Sequence, residues 1–364
     1  MSLESYGWDE YFKKHYENYL GKFYIPARVE LQQRNSYLLF SENGEISAKL
    51  SGKFRYMATN KKDFPVVGDW VVIQVADDRK QATIFGLMPR KTCFVRKLPI
   101  SGGRKIKNGI IVGGSTEEQV IASNVDTAFI VCGLDGNFNL ERIERYITLA
   151  YNSGAKPVII LNKIDCCSCV HDYINKVETI AMGIAIHPIS VVKNQGMDVF
   201  NQYLLDGKTV VFLGSSGVGK STITNYLLGE EKQKTKSTSN ASGKGRHTTS
   251  SAELILHNSG GMIIDTPGLR ELQLWCGEES LDESFEDVKN IIIRCKYKDC
   301  KHDKEPGCAI IEAIKDTIIT QERFESYQKQ YNELQLLNGR IKQSEVYMSK
   351  RAKLYAKMNQ RGHK

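Results

Sequence analysis

The sequence predicts a multidomain protein in which a small β-barrel, an α/β domain and a mainly α C-terminal domain follow one another. Short β-rich runs fill residues 28–96, apolar runs alternate with helical patterns over 117–275, and cysteines cluster near residue 300. The 364 residues, 41% hydrophobic and 25% charged, suffice for two or three folded domains. We predict the domains at residues 26–98, 117–275 and 276–364, with a linker over 99–116.

An aromatic helical extension is predicted before the barrel, over residues 1–25. Its rings recur at steps of three and four residues, which places them on one face of a helix. They are Trp8, Tyr11, Phe12, His15, Tyr16 and Tyr19. Such a stripe is typical of a helix that packs on a neighbouring element.

Five short strands predict a barrel of the oligonucleotide-binding (OB) kind. They cover residues 29–32, 37–40, 46–50, 70–75 and 82–87, with turns at Asn43-Gly44 and Asp77-Asp78. The region is basic and has two aromatic residues for stacking: Arg28, Lys49, Lys53, Arg55, Lys61, Lys62, Arg96, Lys97, Phe54 and Tyr56. This composition favours contact with RNA; the alternative is a solvated charged surface.

The α/β domain is predicted from apolar runs at residues 128–132, 158–161, 184–189, 210–213 and 262–264, with a helix over 140–153. The alternation implies a parallel sheet that helices cover on both faces. Residues 101–115, rich in glycine and lysine, are predicted to form a loop or linker before it.

A phosphate-binding loop follows the fourth run and opens a helical pattern. Its residues are Gly214, Ser215, Ser216, Gly217, Val218, Gly219, Lys220 and Ser221. Backbone amides of such a loop surround the β-phosphate, Lys220 reaches the β- and γ-phosphates, and the Ser221 hydroxyl binds magnesium. Asp265-Thr266-Pro267-Gly268 ends the fifth run. There Asp265 can hold magnesium through water, and the Gly268 amide can contact the γ-phosphate.

A guanine-binding motif, Asn162-Lys163-Ile164-Asp165, ends the second run. The Asp165 carboxylate can accept the N1 and N2 hydrogens of guanine, a donor pair that adenine lacks. Ser190-Val191 ends the third run and can offer a backbone amide to the guanine oxygen, or can be a plain strand-end turn. Because the guanine motif precedes the phosphate loop, the reverse of the ordinary GTPase order, we predict a circularly permuted P-loop GTPase domain.

Residues 232–251 are predicted to be a mobile first switch. Thr248 or Thr249 can coordinate magnesium there, and we favour Thr249. Many GTPases place a glutamine after the Asp-x-x-Gly motif to position water, but this chain has Leu269. His247 is our candidate to orient the water; the alternative is a solvated histidine.

A structural zinc site is predicted from Cys295, Cys300, His302 and Cys308, spaced C-x4-C-x-H-x5-C. Three thiolates and an imidazole fill a tetrahedral shell. A second group, Cys166, Cys167, Cys169 and His171, is too compressed for one ion, and we interpret it as ordinary thiols.

The C-terminal residues carry most of the formal net charge of +8. Residues 340–364 hold eight basic residues and one acidic residue, after an amphipathic helix with Phe324, Tyr327, Tyr331 and Leu334. This tail can bind phosphate or be a solvated end. No stretch approaches the roughly 18 apolar residues of a membrane helix, and no signal core opens the chain, so we expect a cytoplasmic protein without a membrane partner.

Motif order, switch histidine and zinc spacing together resemble the bacterial ribosome small subunit-dependent GTPase A family. The resemblance implies an OB barrel, a permuted GTPase domain and a zinc domain. It also implies that the protein binds the 30S subunit and its 16S rRNA and acts late in 30S maturation. The subunit is expected to stimulate GTP hydrolysis. The resemblance further implies a monomer with one Zn²⁺ and with Mg²⁺ bound to the GTP. By resemblance, residues 214–222, including Thr222, bind phosphate and His247 positions water.

Three departures from the family pattern stand out: Ser190-Val191 replaces Ser-Ala, the aromatic extension is added, and the linker is enlarged. Leu269 keeps open an alternative, a GTP-gated RNA-binding module whose hydrolysis is incidental. A metabolic kinase is disfavoured by Asp165.

Overall fold

The structure, a computed structural model, describes residues 2–19, 23–76, 81–97, 105–107, 110–112, 118–136, 138–229, 252–266, 278–336 and 339. The chain divides into two compact units. One comprises Met1–Arg96 and Val120–Gln273, and the other Lys97–Gln119 and Leu274–Lys364. The domain boundaries that the sequence suggested stay predictions.

The N-terminal extension folds as helix α1 (Glu10–Tyr16) and a 3₁₀ turn (Glu17–Tyr19). The Asp9 side chain caps α1 by accepting the Tyr11 amide at 3.1 Å. The rings of Trp8 and Phe12 pack on Trp70 of the barrel, with centroid distances of 4.8 and 5.6 Å. The aromatic stripe is therefore a packing face, as predicted.

The first β-region closes into a five-stranded barrel. Its strands are β1 (Ile25–Gln32), β2 (Tyr37–Ser41), β3 (Gly44–Leu50), β4 (Trp70–Val75) and β5 (Gln81–Leu87). Their order is β1-β2-β3-β5-β4, and β1 also pairs with β4. Only β3 and β5 run parallel among these pairs. This closure confirms the predicted OB-like barrel, and helix α2 (Gly52–Met57) connects β3 towards β4.

Arg28 was expected on the basic surface of the barrel, but the structure places it in the interior. Its side chain is 1% exposed and donates to the carbonyls of Tyr6, Gly68 and Asn124. Burial lowers the pKa of its guanidinium to about 10. Arg28 therefore joins the extension, the barrel and the α/β domain from inside and is not available to RNA.

The predicted linker contains more structure than its composition indicated. Strand β6 (Cys93–Lys97) ends the barrel region and pairs with β9 (Glu118–Ser123), while β7 (Lys105–Lys107) and β8 (Ile110–Val112) form an antiparallel hairpin. Strands of three residues are too short to give a periodic pattern, so the sequence indicated only a loop.

The α/β domain has the predicted parallel sheet. Its elements are β10 (Thr127–Gly133), α3 (Leu140–Ser153), β11 (Lys156–Asn162), α4 (Val170–Glu178), β12 (Ile186–Pro188), β13 (Thr209–Leu213), α5 (Lys220–Leu228), β14 (Glu253–Leu256) and β15 (Met262–Asp265). The order is β12-β11-β10-β13-β15-β14, with all neighbours parallel except β14 and β15. Parallel strands bring their carboxyl ends to one edge of the sheet, where the candidate motifs lie.

Strand β14 connects the two sheets of this unit. It pairs with β15 over four residues and with β1 at Leu31 and Glu253. The barrel and the GTPase-like sheet thus form one continuous run of eleven strands. No sequence pattern predicted this strand.

The second unit is mainly α. It contains α6 (Glu278–Ser284), α7 (Glu286–Ile292), α8 (Ala309–Lys315) and α9 over residues 321–336. Phe285, Val288, Ile310 and Phe324 lie in its core. Within the described ranges, no helix is long and apolar enough to cross a membrane.

Candidate functional site

The phosphate loop lies between β13 and α5, as its sequence context predicted. Gly214 and Gly219 have φ of 142° and 103°, in the region that favours glycine. A side chain at Gly214 would collide with the Val131 carbonyl, and one at Gly219 with the Asn162 side chain. Lys220 begins α5, and its Nζ donates to the carbonyls of Gly214 and Ser215, both at 2.5 Å.

The guanine motif is bonded directly to this loop. The buried Asn162 at the end of β11 donates from Nδ2 to the Val218 carbonyl at 2.9 Å. Lys163 donates to the Gly217 carbonyl at 2.7 Å and pairs with Asp135. Two motifs more than fifty positions apart in the chain therefore form a single site.

The side-chain oxygen of Asn162, Oδ1, is buried and makes no hydrogen bond in the described part of the chain. A buried amide oxygen without a partner costs free energy, so this atom is a place where a bound water or ligand could supply the missing hydrogen bond.

Asp165 and Ser190 form a hydrogen-bonded pair beside the motif. The Ser190 hydroxyl donates to the Asp165 carboxylate, and this bond holds the pKa of that carboxyl below its usual value. The Ser190 amide donates to the Gln195 carbonyl at 2.9 Å, and the Lys193 amide donates to Ser190 Oγ at 3.1 Å. The sequence did not predict this role of the Ser190 hydroxyl, and the backbone amide that Ser190-Val191 would offer to guanine stays a prediction.

Asp265 ends β15, directly beside the phosphate strand. Its neighbour Ile264 pairs with Val211 of β13, and the Asp265 side chain is exposed. Ser216, Gly217, Ser221 and Thr222 are likewise exposed at this edge. Gly268, Leu269, His247, Thr248 and Thr249 lie outside the described residues.

Two residues at the site were missed by the sequence analysis. Asp135 follows β10 and pairs with Lys163; Arg142 in the first turn of α3 donates from Nη1 to Ser215 Oγ at 3.0 Å. Neither belongs to a motif. The signal that could have found them is topological, because the segment after β10 must reach the same sheet edge as the loops after β11 and β13.

The second unit brings the four predicted metal ligands together. The ligand atoms of Cys295, Cys300, His302 and Cys308 all lie within 4.8 Å of one another. His302 Nδ1 is 3.5 Å from the Cys295 sulfur and 3.4 Å from the Cys308 sulfur. This cluster could hold a metal ion, and it is the one such group found in the part of the chain that the structure describes.

The loop around the cluster is fixed by Glu305. Its carboxylate accepts the amides of Lys301, Asp303 and Lys304 at 3.0, 3.0 and 3.1 Å. These backbone hydrogen bonds lower the pKa of Glu305 to about 2, and the bond from Lys301 has the largest effect. The carboxylate therefore stays ionised and holds the ligand loop at any physiological pH.

A parallel sheet with its guanine motif on an earlier strand than its phosphate loop defines a circularly permuted P-loop GTPase. The family model for RsgA GTPase matches residues 105–275. The small ribosomal subunit biogenesis GTPase RsgA of Opitutus terrae is 38% identical over 338 residues, which are 90% of this chain and 89% of that protein. The chain belongs to the RsgA GTPase family.

Solved structures agree with this assignment. YjeQ from Thermotoga maritima superposes with a TM-score of 0.63 at 26% identity, over 85% of this chain and 98% of that one. YloQ, described as a circularly permuted GTPase, gives a TM-score of 0.60 at 24% identity, over 86% and 95% of the two chains, and supports the fold. The fold class and family predicted from the motifs are confirmed. As a member of this family the protein is a GTP hydrolase, and the family implies magnesium with the GTP.

Proposed function

We propose that this protein is a cytoplasmic GTPase that binds the 30S ribosomal subunit and its 16S rRNA as a monomer and assists late maturation of the subunit. The subunit stimulates GTP hydrolysis, and the protein leaves as GDP forms. The match over 90% of the chain to a relative named for small ribosomal subunit biogenesis carries this proposal.

Guanine recognition follows from the Asp165 pair. The ionised carboxylate accepts the N1 and N2 hydrogens of the base, and the Ser190 hydroxyl orients it. Because the Ser190 amide already bonds Gln195, the amide offered to the guanine oxygen is that of Val191. Asn162 holds the segment against the phosphate loop through its side-chain amide, and Lys163 and Ile164 complete the segment.

Hydrolysis follows from the phosphate loop and the two switches. Residues 214–222 would bind the phosphates; Ser221 and Thr249 would hold Mg²⁺ directly, and Asp265 would hold it through water. The Gly268 amide contacts the γ-phosphate. His247 orients the attacking water because Leu269 cannot, and Lys220 stabilises the charge that develops on the phosphate oxygens.

The metal of the second unit is proposed to be one structural Zn²⁺. The supporting observation is the donor set: three sulfurs and one imidazole nitrogen converge, and such a set fills the tetrahedral shell that zinc prefers. No coordination position remains for a reacting water, so the metal holds the fold of this unit.

RNA contact by the barrel is proposed for the surface of α2. Tyr56 is 90% exposed there, and Lys53 and Arg55 on the same short helix are exposed as well. An exposed aromatic ring among cations suits stacking on a base beside phosphates. The basic tail over residues 340–364 lies outside the described residues and stays a predicted second contact.

The proposal is tested by measuring GTP turnover with purified 30S subunits, with 50S subunits and without either. We expect the 30S subunit alone to raise kcat by at least about 10-fold, the order that a completed catalytic site provides. If 30S binds but leaves kcat unchanged, the protein is a GTP-gated RNA-binding module. If neither subunit binds, the ribosomal role is wrong.

A further inference from the structure

A third cation reaches the phosphate loop from outside the recognised motifs. Lys220 bonds the carbonyls of Gly214 and Ser215, and Lys163 bonds that of Gly217. Arg142 reaches the loop from the first turn of α3 and donates from Nη1 to Ser215 Oγ at 3.0 Å. The cations therefore arrive from three different elements.

The position of Arg142 is fixed by the start of its helix. Asn139 caps α3 by accepting the Arg142 amide at 2.7 Å, so the backbone of Arg142 is held where the helix meets the sheet edge. The 14-residue helix also packs its apolar side, including Ile143 and Ile147, into the core. The guanidinium is thus presented to the loop by a rigid support.

Three other cations of this unit are paired with carboxylates, whereas Arg142 has no such pair within the described ranges. Lys163 pairs with Asp135, Lys208 with Asp126, and Arg90 with the buried Asp69. The partner that the structure gives Arg142 among the described residues is a neutral hydroxyl. A guanidinium is always charged and binds two phosphate oxygens in a fork, so its positive charge at this place remains available to an anion.

We propose that Arg142 is a cation of the phosphate site, held by Ser215, that stabilises the γ-phosphoryl group during hydrolysis. In this step the water oxygen forms a bond to the γ-phosphorus while the bond from that phosphorus to the β,γ-bridging oxygen breaks. The electron pair stays on GDP, and a water proton ends on the released phosphate. Positive charge supplied from the same chain stabilises the oxygens on which negative charge grows.

Four variants separate this role from a structural one. Arg142→Gln removes the charge and keeps a donor, Arg142→Lys keeps the charge without the fork, and Ser215→Ala removes the hydroxyl partner. Lys156→Gln is the matched control, since it removes one exposed charge at the opposite end of strand β11. Each is assayed without ribosomal subunits for kcat, KM, GDP affinity and melting temperature.

We expect Arg142→Gln to lower kcat by about 10-fold or more while GDP affinity changes less than about threefold, because the charge acts mainly in the transition state. Binding of GDP with aluminium fluoride should weaken in parallel with kcat. Arg142→Lys should retain part of the rate, Ser215→Ala should lose less than Arg142→Gln, and Lys156→Gln should match wild type.

The proposal is overturned if Arg142→Gln leaves kcat unchanged, whether or not the variant binds GDP and GTP more weakly. It is also overturned if Ser215→Ala reproduces the whole loss, since the arginine would then act only by holding the loop. The inference rests on the mechanism of GTP hydrolysis proposed above but not on the ribosomal partner. Because these assays contain no subunit, a failed 30S stimulation and a failed role of Arg142 are separate results.

Discussion

At the scale of single residues, the Ser190 hydroxyl bonds the Asp165 carboxylate and changes the pH at which that carboxyl ionises. The Ser190 hydroxyl lowers the pKa of the Asp165 carboxyl, so the carboxylate is ionised over a wider pH range than an isolated aspartate. The proposed guanine binding needs the ionised form. The contribution of the Asp165 carboxylate to nucleotide affinity is present above the ordinary pKa of aspartate. It is lost as pH falls through the lowered pKa of Asp165.

Ser190→Ala is therefore expected to weaken GTP binding roughly 10-fold at neutral pH, because Asp165 loses the bond that orients it. The acid limb of the affinity should also move to higher pH, since the pKa of Asp165 returns towards its usual value. Titration of a fluorescent GDP analogue from pH 4 to 8 measures both effects. An unchanged acid limb would show that Ser190 does not tune Asp165.

His247 carries the proposed orientation of water. His247→Ala should reduce kcat by about 100-fold or more while the Kd for GTP changes little, because orientation matters in the transition state and not in binding. Single-turnover hydrolysis and equilibrium binding give the two numbers. Equal losses in both, or no loss, would remove His247 from the mechanism.

At the scale of elements, the second unit relies on a small set of ligands between α7 and α8. Its core is built around Phe285, Ile310 and Phe324, and His302 lies against Phe324 with a centroid distance of 5.7 Å. In the proposed site, bonds to the metal hold the three thiols and the imidazole close together. We therefore expect metal binding and folding of this unit to be coupled.

Removal of the metal by a strong chelator, or Cys300→Ser, should lower the melting temperature of this unit and leave GDP affinity nearly unchanged. Full removal of the metal should cost this unit on the order of 10 kcal/mol of folding free energy, as structural zinc does in small zinc-binding domains. Cys93→Ser is the matched control, because Cys93 lies outside the cluster. Calorimetry with metal analysis of the purified protein measures the change; a stable, metal-free unit would contradict the zinc proposal.

At the scale of the whole molecule, strand β14 offers a path between nucleotide and barrel. It pairs with β15, which ends at Asp265, and touches β1 at Leu31. Because hydrogen-bonded strands shift together, a change at Asp265 on loss of the γ-phosphate should reach the barrel edge.

Hydrogen exchange tests this path. Amides of residues 253–256 and those near Leu31 should exchange more slowly with a non-hydrolysable GTP analogue than with GDP, while those of β3 and β5 on the far side stay the same. Mass spectrometry of the exchanged peptides resolves the two regions. Equal exchange in both nucleotide states would leave β14 as a static connection.

Local signals predicted some parts of this architecture and could not predict others. Helix α3 begins and ends where the sequence placed it, because Asn139 caps its start and Gly154 ends it in the left-handed region with φ of 82°. The phosphate loop and guanine motif met as expected because parallel strands share one edge. The burial of Arg28 and the pairing of β14 with β1 depend on contacts between distant segments, and no local pattern encodes which face or edge those segments occupy.

The sheet order has a consequence for the chain as it is synthesised. Strand β10, buried at all seven positions, lies between β11 and β13, yet β13 is made some eighty residues later. In a growing chain, β10 and β11 with the predicted guanine motif are therefore made first, and one edge of β10 stays unpaired until β13 and the phosphate loop follow. Unpaired apolar edges promote aggregation. We therefore expect GTP or GDP to bind only after both halves have met, and so to stabilise only the completed domain.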